Sequence, residues 1–259
     1  MQAICIIAHK NLDQVIDLAS KLAKKFYVII HFDSKMIIDK KSKYVLKEKK
    51  INYFSKVDVH WGGWSIGKVA YLLFQEALKN PKVTYVHLIS GQDWPVMNLD
   101  KLYNVFENNS KIYLGYKLAK KEIKSGQNTL LWQKFYFNYD KLNRRSFFGK
   151  IYHRFLIKLQ KLLRINKLKK YNIKLDIYEG PNWVDLPRDA VEYCINYLDT
   201  HPNLRKVFET GCFSDEFWVQ TILVNNVKYK KRITGDPHRF IIWKKRHNSY
   251  PAILDKSDY

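Results

Sequence analysis

Cysteine, glycine and acidic residues are all scarce in this chain of 259 residues. The three cysteines, Cys5, Cys194 and Cys212, include no Cys-x-x-Cys pair. An odd and sparse set argues against a disulfide framework and against a structural zinc site. The simplest expectation is therefore a reducing compartment.

Long apolar runs are also missing, since none approaches the roughly 18 residues needed to cross a bilayer. The apolar run at the N-terminus is broken by His9 and Lys10, and it has neither a basic leader nor a cleavage site. It predicts a buried strand instead of a signal peptide. We therefore expect a cytoplasmic protein, soluble or peripheral at the inner face of the membrane.

Several sequence motifs of known chemistry are absent. There is no G-x-G-x-x-G, no G-x-x-x-x-G-K-[ST], no G-x-S-x-G and no H-E-x-x-H. Asp-x-Asp does not occur either. An enzyme with this sequence is expected to bind phosphates through cationic side chains, with no carboxylate-held metal and no other cofactor.

What the chain does have is positive charge and aromatic bulk. Lys and Arg number 46 against 24 Asp and Glu, a formal charge of +22. This favours an anionic partner such as nucleic acid, a phosphorylated ligand or a membrane surface. The content of 46% hydrophobic and 15% aromatic residues excludes disordered and collagen-like classes.

The charge is concentrated in residues 117–174, which hold 17 Lys and Arg but only two acidic residues. Within this basic insert, the spacing predicts a two-faced helix over 148–164. Its predicted apolar face consists of Phe148, Ile151, Tyr152, Phe155, Leu156, Leu159, Leu162 and Leu163, and its basic face of Lys150, Arg154, Lys158, Lys161 and Arg164. The favoured interpretation is a helix docked on the body with a solvated basic face. The alternative is an interfacial helix on anionic lipid. Nucleic acid is disfavoured because no recognition motif accompanies the charge.

Outside the insert the pattern is α/β. A buried strand over 3–8, helical spacing over 11–25 and a second strand over 26–33 form a βαβ opening, typical of a parallel sheet. Further strands are predicted at 51–59, 84–90, 111–117, 175–187 and 239–243. Helices are predicted to begin at Ser65, at Asn98 or Asp100, at Arg188 and at Ser214. No repeat or Gly/Ser linker divides the chain, so one α/β body over 1–259 is expected.

Two candidate binding segments follow predicted strands early in the chain. Asp33 ends the second strand, where an acid can accept hydrogen bonds from a ribose or base; alone it could equally be a turn residue. In V-H-W-G-G-W-S over 59–65, tryptophans flank two glycines, which suits an aromatic wall beside a close backbone approach. The alternative there is a packed turn whose tryptophan rings lie in the core.

Two more candidate segments carry carboxylates. In S-G-Q-D-W-P, Asp93 and Trp94 follow a strand, where sugar stacking and hydroxyl hydrogen bonds are natural, although Asp also begins ordinary turns. In S-D-E-F, Ser214 as N-cap would place Asp215 and Glu216 in the first helical turn. Such an acidic pair either caps a helix or supplies a general base.

Taken in order, these segments resemble the core-2/I-branching β-1,6-N-acetylglucosaminyltransferase family, which includes peptide xylosyltransferases, and point to a bacterial-type member. The likeness lies in H-F-D-S-K, H-W-G-G-W-S-I-G-K-V-A-Y-L-L-F-Q-E-A-L, Y-V-H-L-I-S-G-Q-D-W-P-V, G-P-N-W-V-D-L-P-R-D-A-V-E-Y, S-D-E-F-W-V-Q-T-I-L and R-F-I-I-W. It spans residues 1–115 and about 175–250, and leaves the basic insert uncovered.

The resemblance implies a GT-A-like nucleotide-sugar fold and inverting, metal-independent transfer of GlcNAc or a related sugar from a UDP-sugar to a glycan. By position, Glu216 matches the catalytic base, Asp33 the acid that recognises uridine, and Arg239 the arginine that pairs with the diphosphate. The remaining candidates are placed more loosely. Trp64, Ser65 and Asp93 are assigned to the donor, and Trp94, Trp183 and Asp215 to the acceptor.

One feature departs from the family pattern. The family has a lysine about twenty residues beyond that arginine, in a Phe-rich segment, and the sequence to Tyr259 contains no such segment. Lys244, Lys245 or Arg246 is expected to substitute; the alternatives are that the segment is lost or that another chain supplies it. The acceptor is expected to be a glycan, lipid-linked in bacterial surface polysaccharide synthesis. The alternatives are a non-catalytic basic module that binds anionic lipid or nucleic acid, and a degenerate transferase that binds UDP without turnover.

Overall fold

A five-stranded sheet is the centre of the protein, which a computed structural model describes over residues 1–258. The strands occur in the order β3-β2-β1-β4-β9; β1 to β4 are parallel, and β9 is antiparallel to β4. Their bounds are β1 Gln2–Ala8, β2 Tyr27–Phe32, β3 Asn52–Phe54, β4 Tyr85–Ser90 and β9 Val184–Pro187. The predicted α/β class with a mostly parallel sheet is confirmed.

Helices cover both faces of this sheet. On one face α1 packs on Ile4 and Ile6 of β1, while α3 packs on the opposite face, which carries Ala3 and Cys5. This alternation is the period of two expected of a strand buried on both sides. The helices outside the insert are α1 Leu12–Leu22, α2 Lys40–Glu48, α3 Ser65–Leu78, α4 Leu99–Phe106, α8 Arg188–Thr200, α9 Pro202–Glu209, α10 Trp218–Val224 and α11 Val227–Lys230.

The basic insert forms part of the main core. Its elements are β5 Lys117–Leu118, β6 Ile123–Lys124, β7 Gln127–Asn128, α5 Leu130–Lys134, α6 Phe147–Leu162 and α7 Lys167–Lys170, with β8 Tyr178–Glu179 pairing with β5 just beyond it. Buried Trp132, Phe135, Phe137 and Tyr139 join the same apolar cluster as α3 and α8. The insert is therefore partly helical, as predicted, and its aromatic residues anchor it.

Two predicted strands are wrong. Residues 111–116 make only isolated bridges, from Ile112 to Ile233 and from Tyr113 to Asp185. Residues 239–243 form no strand. Apolar runs of this length also fit the core as extended segments, and residues 111–116 meet the edge strand β9 only at the single bridge between Tyr113 and Asp185.

Two predicted helix caps are also wrong. Ser65 is the first residue of α3, and its Oγ accepts from the N–H of His60 at 2.8 Å. The Ser214 hydroxyl donates to Gln133 Oε1, and residues 214–216 form a short 3₁₀ turn that precedes α10. In contrast, Asn98 caps α4 as predicted, because its side chain accepts from the N–H groups of Asp100 and Lys101.

Helix α6 forms where it is predicted, but it docks through a different face. Its buried residues are Gly149, His153, Ile157 and Gln160. Large members of the predicted apolar face, Phe148 and Phe155 among them, are exposed. The buried face makes polar bonds to the rest of the insert, which are described below.

The cysteines and the helix lengths agree with expectation. Cys5, Cys194 and Cys212 are buried free thiols. Among the helices formed by residues 1–258, none combines the length and the apolar character needed to span a bilayer.

Candidate active site

A cavity of about 390 Å³ opens at the carboxyl ends of β1, β2 and β4. From β1 the chain adds β2 and β3 on one side, and it then crosses to add β4 on the other side of β1. The carboxyl ends of β1 and β4 are therefore the switch point at which open α/β sheets bind ligands. The lining residues are Ile7, His9, Asp33, Lys35, Val59, Trp61, Ile66, Leu88, Ile89, Ser90, Arg145, Asn182 and Trp183. Of the predicted site residues, this wall brings together Asp33 and Trp183.

Asp33 is a buried carboxylate whose geometry is set by the loop after β2. Its Oδ1 accepts from the N–H groups of Lys35 at 3.1 Å and Val59 at 3.4 Å. The Lys35 amine lies 3.4 Å from Asp33 Oδ2 and also pairs with Asp58. Asp33 is therefore held in place at the cavity, with charge balance from one neighbouring lysine.

The tryptophan at the cavity is Trp61 and not the predicted Trp64. Trp64 is 6% exposed and packs against Phe208 and Trp218 in the core. Trp61 is 43% exposed and lies under the Arg145 guanidinium, 4.5 Å from ring to cation. Trp64 faces the core because it immediately precedes α3, whose buried side packs on the sheet.

Asp140 of the basic insert explains the paired glycines. Its carboxylate accepts from the N–H of Trp64 at 3.0 Å and of Ser65 at 3.1 Å, at the N-terminus of α3. A Cβ on Gly63 would lie 2.0 Å from Asp140 Oδ1. The close approach predicted for this turn is therefore made by Asp140, and Ser65 serves the turn and does not line the cavity.

Asp93 and Trp94 occupy different environments. Asp93 Oδ2 accepts from the N–H of Ser90 and from Trp183 Nε1 at 3.0 Å, and burial raises its pKa. Asp93 thus positions two residues of the cavity wall. Trp94 is exposed under the Lys21 amine and is not part of that wall.

Behind the wall lies the pair Asp215 and Glu216. Asn182 lines the cavity, and its Nδ2 donates to Asp215 Oδ2 at 3.3 Å. Glu216 accepts from the Lys124 amine at 3.1 Å, and the same amine lies 3.0 Å from Glu179. Lys124 comes from the basic insert, which the family resemblance leaves uncovered.

Burial dominates the protonation of this pair. It raises the pKa of Asp215, and the adjacent Glu216 raises that pKa further. Burial also raises the pKa of Glu216, against the opposing effect of Lys124. A carboxylate with a raised pKa and partial exposure suits proton uptake from a substrate hydroxyl.

Arg239 lies beneath the cavity in an ion pair. Its guanidinium donates to both oxygens of Asp185, each at 3.0 Å, and to the carbonyl oxygen of Leu88. Although burial by itself raises the pKa of Asp185, Arg239 and His87 outweigh it and lower that pKa to about 2. The candidates Lys244 and Lys245 are exposed and do not line the cavity.

A sequence profile described as Core-2/I-Branching enzyme matches residues 3–258, including the segment from 117 to 174. The chain belongs to this family. It is therefore a glycosyltransferase, and its mostly parallel α/β sheet is the GT-A-like fold expected of a member.

Solved structures give weaker likenesses. Core-mannan synthase A (CmsA/Ktr4) from Aspergillus fumigatus, in its Mn/GDP form, is 12% identical with a TM-score of 0.37; the match covers 89% of this chain and 71% of that one. The apo structure of the bifunctional glycosyltransferase WbbM is also 12% identical with a TM-score of 0.37, and the match covers 90% of this chain and 38% of that one. A search of curated proteins found no significant match.

In this core-2/I-branching enzyme, several polar and aromatic cavity residues were not among the predicted site residues, namely His9, Lys35, Trp61, Ser90, Arg145 and Asn182. His9 and Lys35 directly follow strand ends, and Trp61 belongs to a segment already singled out, so position could have found them. Arg145 had no such signal, because only the tertiary fold brings the basic insert to the sheet. Asp140 and Lys124 were missed for the same reason.

The residues 1–258 contain no cluster of three or more His, Cys, Asp or Glu side chains arranged to hold a metal. Two cationic side chains line the cavity, Lys35 and Arg145. Arg145 has no carboxylate partner in this part of the chain, whereas the Lys35 amine is shared by Asp33 and Asp58.

Proposed function

We propose that this enzyme transfers GlcNAc or a related sugar from a UDP-sugar to a hydroxyl of a glycan, with inversion and without a metal. The observation that carries the proposal is the cavity at the ends of β1, β2 and β4. It holds Asp33 at one side, and Asn182 joins its wall to the Asp215–Glu216 pair.

The donor side of the proposal rests on Asp33, Trp61 and Arg145. Asp33 Oδ2 is directed toward Lys35 and the cavity. There it can accept a hydrogen bond from the uridine or its ribose. Trp61 offers an aromatic face partly covered by Arg145. The planar guanidinium of Arg145 matches phosphate oxygens and has no competing carboxylate among the described residues.

On the acceptor side, Glu216 is proposed as the general base. The acceptor hydroxyl loses its proton to the Glu216 carboxylate as its oxygen forms a bond to the anomeric carbon. The bond from that carbon to the phosphate oxygen breaks on the opposite face, and UDP leaves with the electron pair. Positioned proton transfer of this type contributes roughly 10²–10⁴-fold.

The departing diphosphate needs positive charge. Arg239 remains the residue that matches the family arginine, but its pairing with Asp185 makes Arg145 the better placed cation. Lys244 and Lys245 stay candidates for the missing family lysine only if the segment after Arg239 moves toward the cavity. The proposed setting is bacterial surface polysaccharide synthesis at the cytoplasmic face of the membrane.

The decisive variant is Glu216→Gln, which keeps the size of the side chain but removes the base. We expect loss of transfer by at least about 10²-fold, with the thermal shift given by UDP retained. Glu48→Gln, at an exposed position of α2, is the matched control and should be fully active. Activity of the wild type is expected to survive excess EDTA.

Other outcomes decide against parts of the proposal. Retained turnover in Glu216→Gln contradicts the base assignment. Strict dependence on an added metal contradicts the cation-only donor site. A wild type that binds UDP but transfers no sugar to any glycan acceptor is a degenerate transferase.

A further inference from the structure

Helix α6 is held on the body by one narrow arc. The Gln160 side chain bonds both backbone groups of Tyr136, accepting from its N–H at 2.7 Å and donating to its carbonyl at 2.9 Å. His153 bonds the Tyr139 hydroxyl and Gln127 Oε1. Together with buried Ile157, these residues fix the rotation of α6 about its own axis.

This rotation turns a row of large apolar side chains outward. Phe148 is 78% exposed, Ile151 50%, Phe155 61% and Leu162 79%. At 100° per residue these four fall within an arc of about 60°. We call them the outer stripe of α6. Large apolar side chains scattered singly on a surface are ordinary, but a contiguous row indicates an interaction site.

A basic row lies directly beside the outer stripe. It consists of Lys150, Arg154, Lys158 and Lys161, all exposed. The helix has no acidic residue, and among the described residues none of the four cations pairs with a carboxylate. Both the outer stripe and the basic row are therefore free to meet the same partner.

We propose that this face of α6 docks on an anionic lipid bilayer. A helix lying in the interface inserts its apolar row among the upper acyl chains, while neighbouring Lys and Arg side chains reach the phosphates. The paired rows on α6 match that demand on one exposed surface. A protein partner would have to supply a complementary groove and a row of acids, whereas an anionic bilayer offers acyl chains and negatively charged headgroups along its whole plane.

Because α6 begins next to a residue of the cavity wall, docking of α6 on a bilayer would also place the cavity. This step rests on the proposed function. Arg145 lines the cavity and is two residues before the start of α6, and Arg144 lies over Trp61, Tyr139 and Phe213. Docking would therefore bring the cavity near the headgroups, which favours an acceptor glycan carried on a lipid.

The test is sedimentation of the full chain with vesicles of phosphatidylcholine alone or mixed with phosphatidylglycerol. We expect binding to the mixed vesicles only, weakened by salt. Phe148→Ser with Phe155→Ser should weaken it by about tenfold or more, because both side chains are lost from the inserted row. The control pair is Ile37→Ser with Val227→Ser, which changes equally exposed apolar residues elsewhere.

The basic row is tested separately. Lys158→Gln with Lys161→Gln should weaken binding by about tenfold and reduce its salt dependence. Lys43→Gln with Lys47→Gln, at exposed positions of α2, removes the same charge and should have little effect. Circular dichroism and the UDP thermal shift show whether each variant is folded.

Three results would overturn the docking proposal. They are absence of wild-type binding to the mixed vesicles, equal losses in the control pairs, and a wild-type dimer that Phe148→Ser with Phe155→Ser dissociates. The last would make the outer stripe an interface between copies. Vesicle binding needs no UDP and UDP binding needs no vesicle, so failure of this proposal and failure of the proposed function give separate signals.

Discussion

Lys124 links two carboxylates that are distant in sequence, Glu179 and Glu216. Its charge opposes the effect of burial on Glu216, so it keeps the proposed base ionised at a lower pH than burial alone would allow. It acts through its contact with the proposed base, which makes it a positioning residue.

For this reason Lys124→Gln should move the acid limb of the kcat/KM profile to higher pH. The sign follows from the loss of a nearby positive charge, which raises the pKa of Glu216 further. On the acid limb the ionised fraction of the base sets the rate, so the variant should be slower there and should recover at higher pH. Lys120→Gln, which breaks an exposed pair with Asp176, is the control. An unchanged acid limb would argue against the role of Lys124.

At the scale of elements, helix α3 begins without a capping side chain from the residues next to it, since its N-cap residue Trp64 makes no side-chain cap hydrogen bond. The cap is supplied by a distant residue of the same chain, Asp140, which lies 75 residues beyond Ser65. A carboxylate at this end of a helix satisfies free N–H groups and opposes the positive end of the helix dipole. The Gly62–Gly63 turn leaves room for it.

Asp140→Ala should therefore destabilise the protein by about 1–3 kcal/mol, because two N–H groups lose their acceptor. Thermal unfolding measures this as a fall in Tm of several degrees. Asp176→Ala removes a carboxylate from an exposed pair and should change Tm little. Equal Tm values for the two variants would contradict the capping role.

Over the whole molecule, buried histidines set part of the acid response. Burial lowers the pKa of His31 to about 4, and its Nε2 accepts from the N–H groups of Lys56 and Val57. The unfolded chain binds a proton on this residue below about pH 6.5 while the folded chain does not. Protonation therefore favours unfolding as the pH falls from about 6.5 toward 4.

His31→Gln keeps an acceptor but removes the titration. The free energy of unfolding of the wild type minus that of the variant should fall by about 2 kcal/mol between pH 7 and pH 5. Urea unfolding at both pH values measures this difference. The comparison with the variant cancels the opposite contribution of Asp215 and Glu216, whose raised pKa values favour the folded state on acidification. A constant difference would show that His31 is not neutral in the fold.

The sequence by itself determined the parallel α/β body, the candidate Asp33 and the carboxylate pair, and the helical basic insert. Local patterns suffice there, because strand ends, helix periods and motif order are properties of neighbouring residues. Tertiary structure alone decided that Trp61 and not Trp64 faces the cavity, that Asp140 caps α3, and that Lys124 and Arg145 reach the site. It also decided which face of α6 is buried, because His153 and Gln160 bond partners that lie elsewhere in the chain. These outcomes depend on contacts between segments far apart in the chain, which periodicity does not encode.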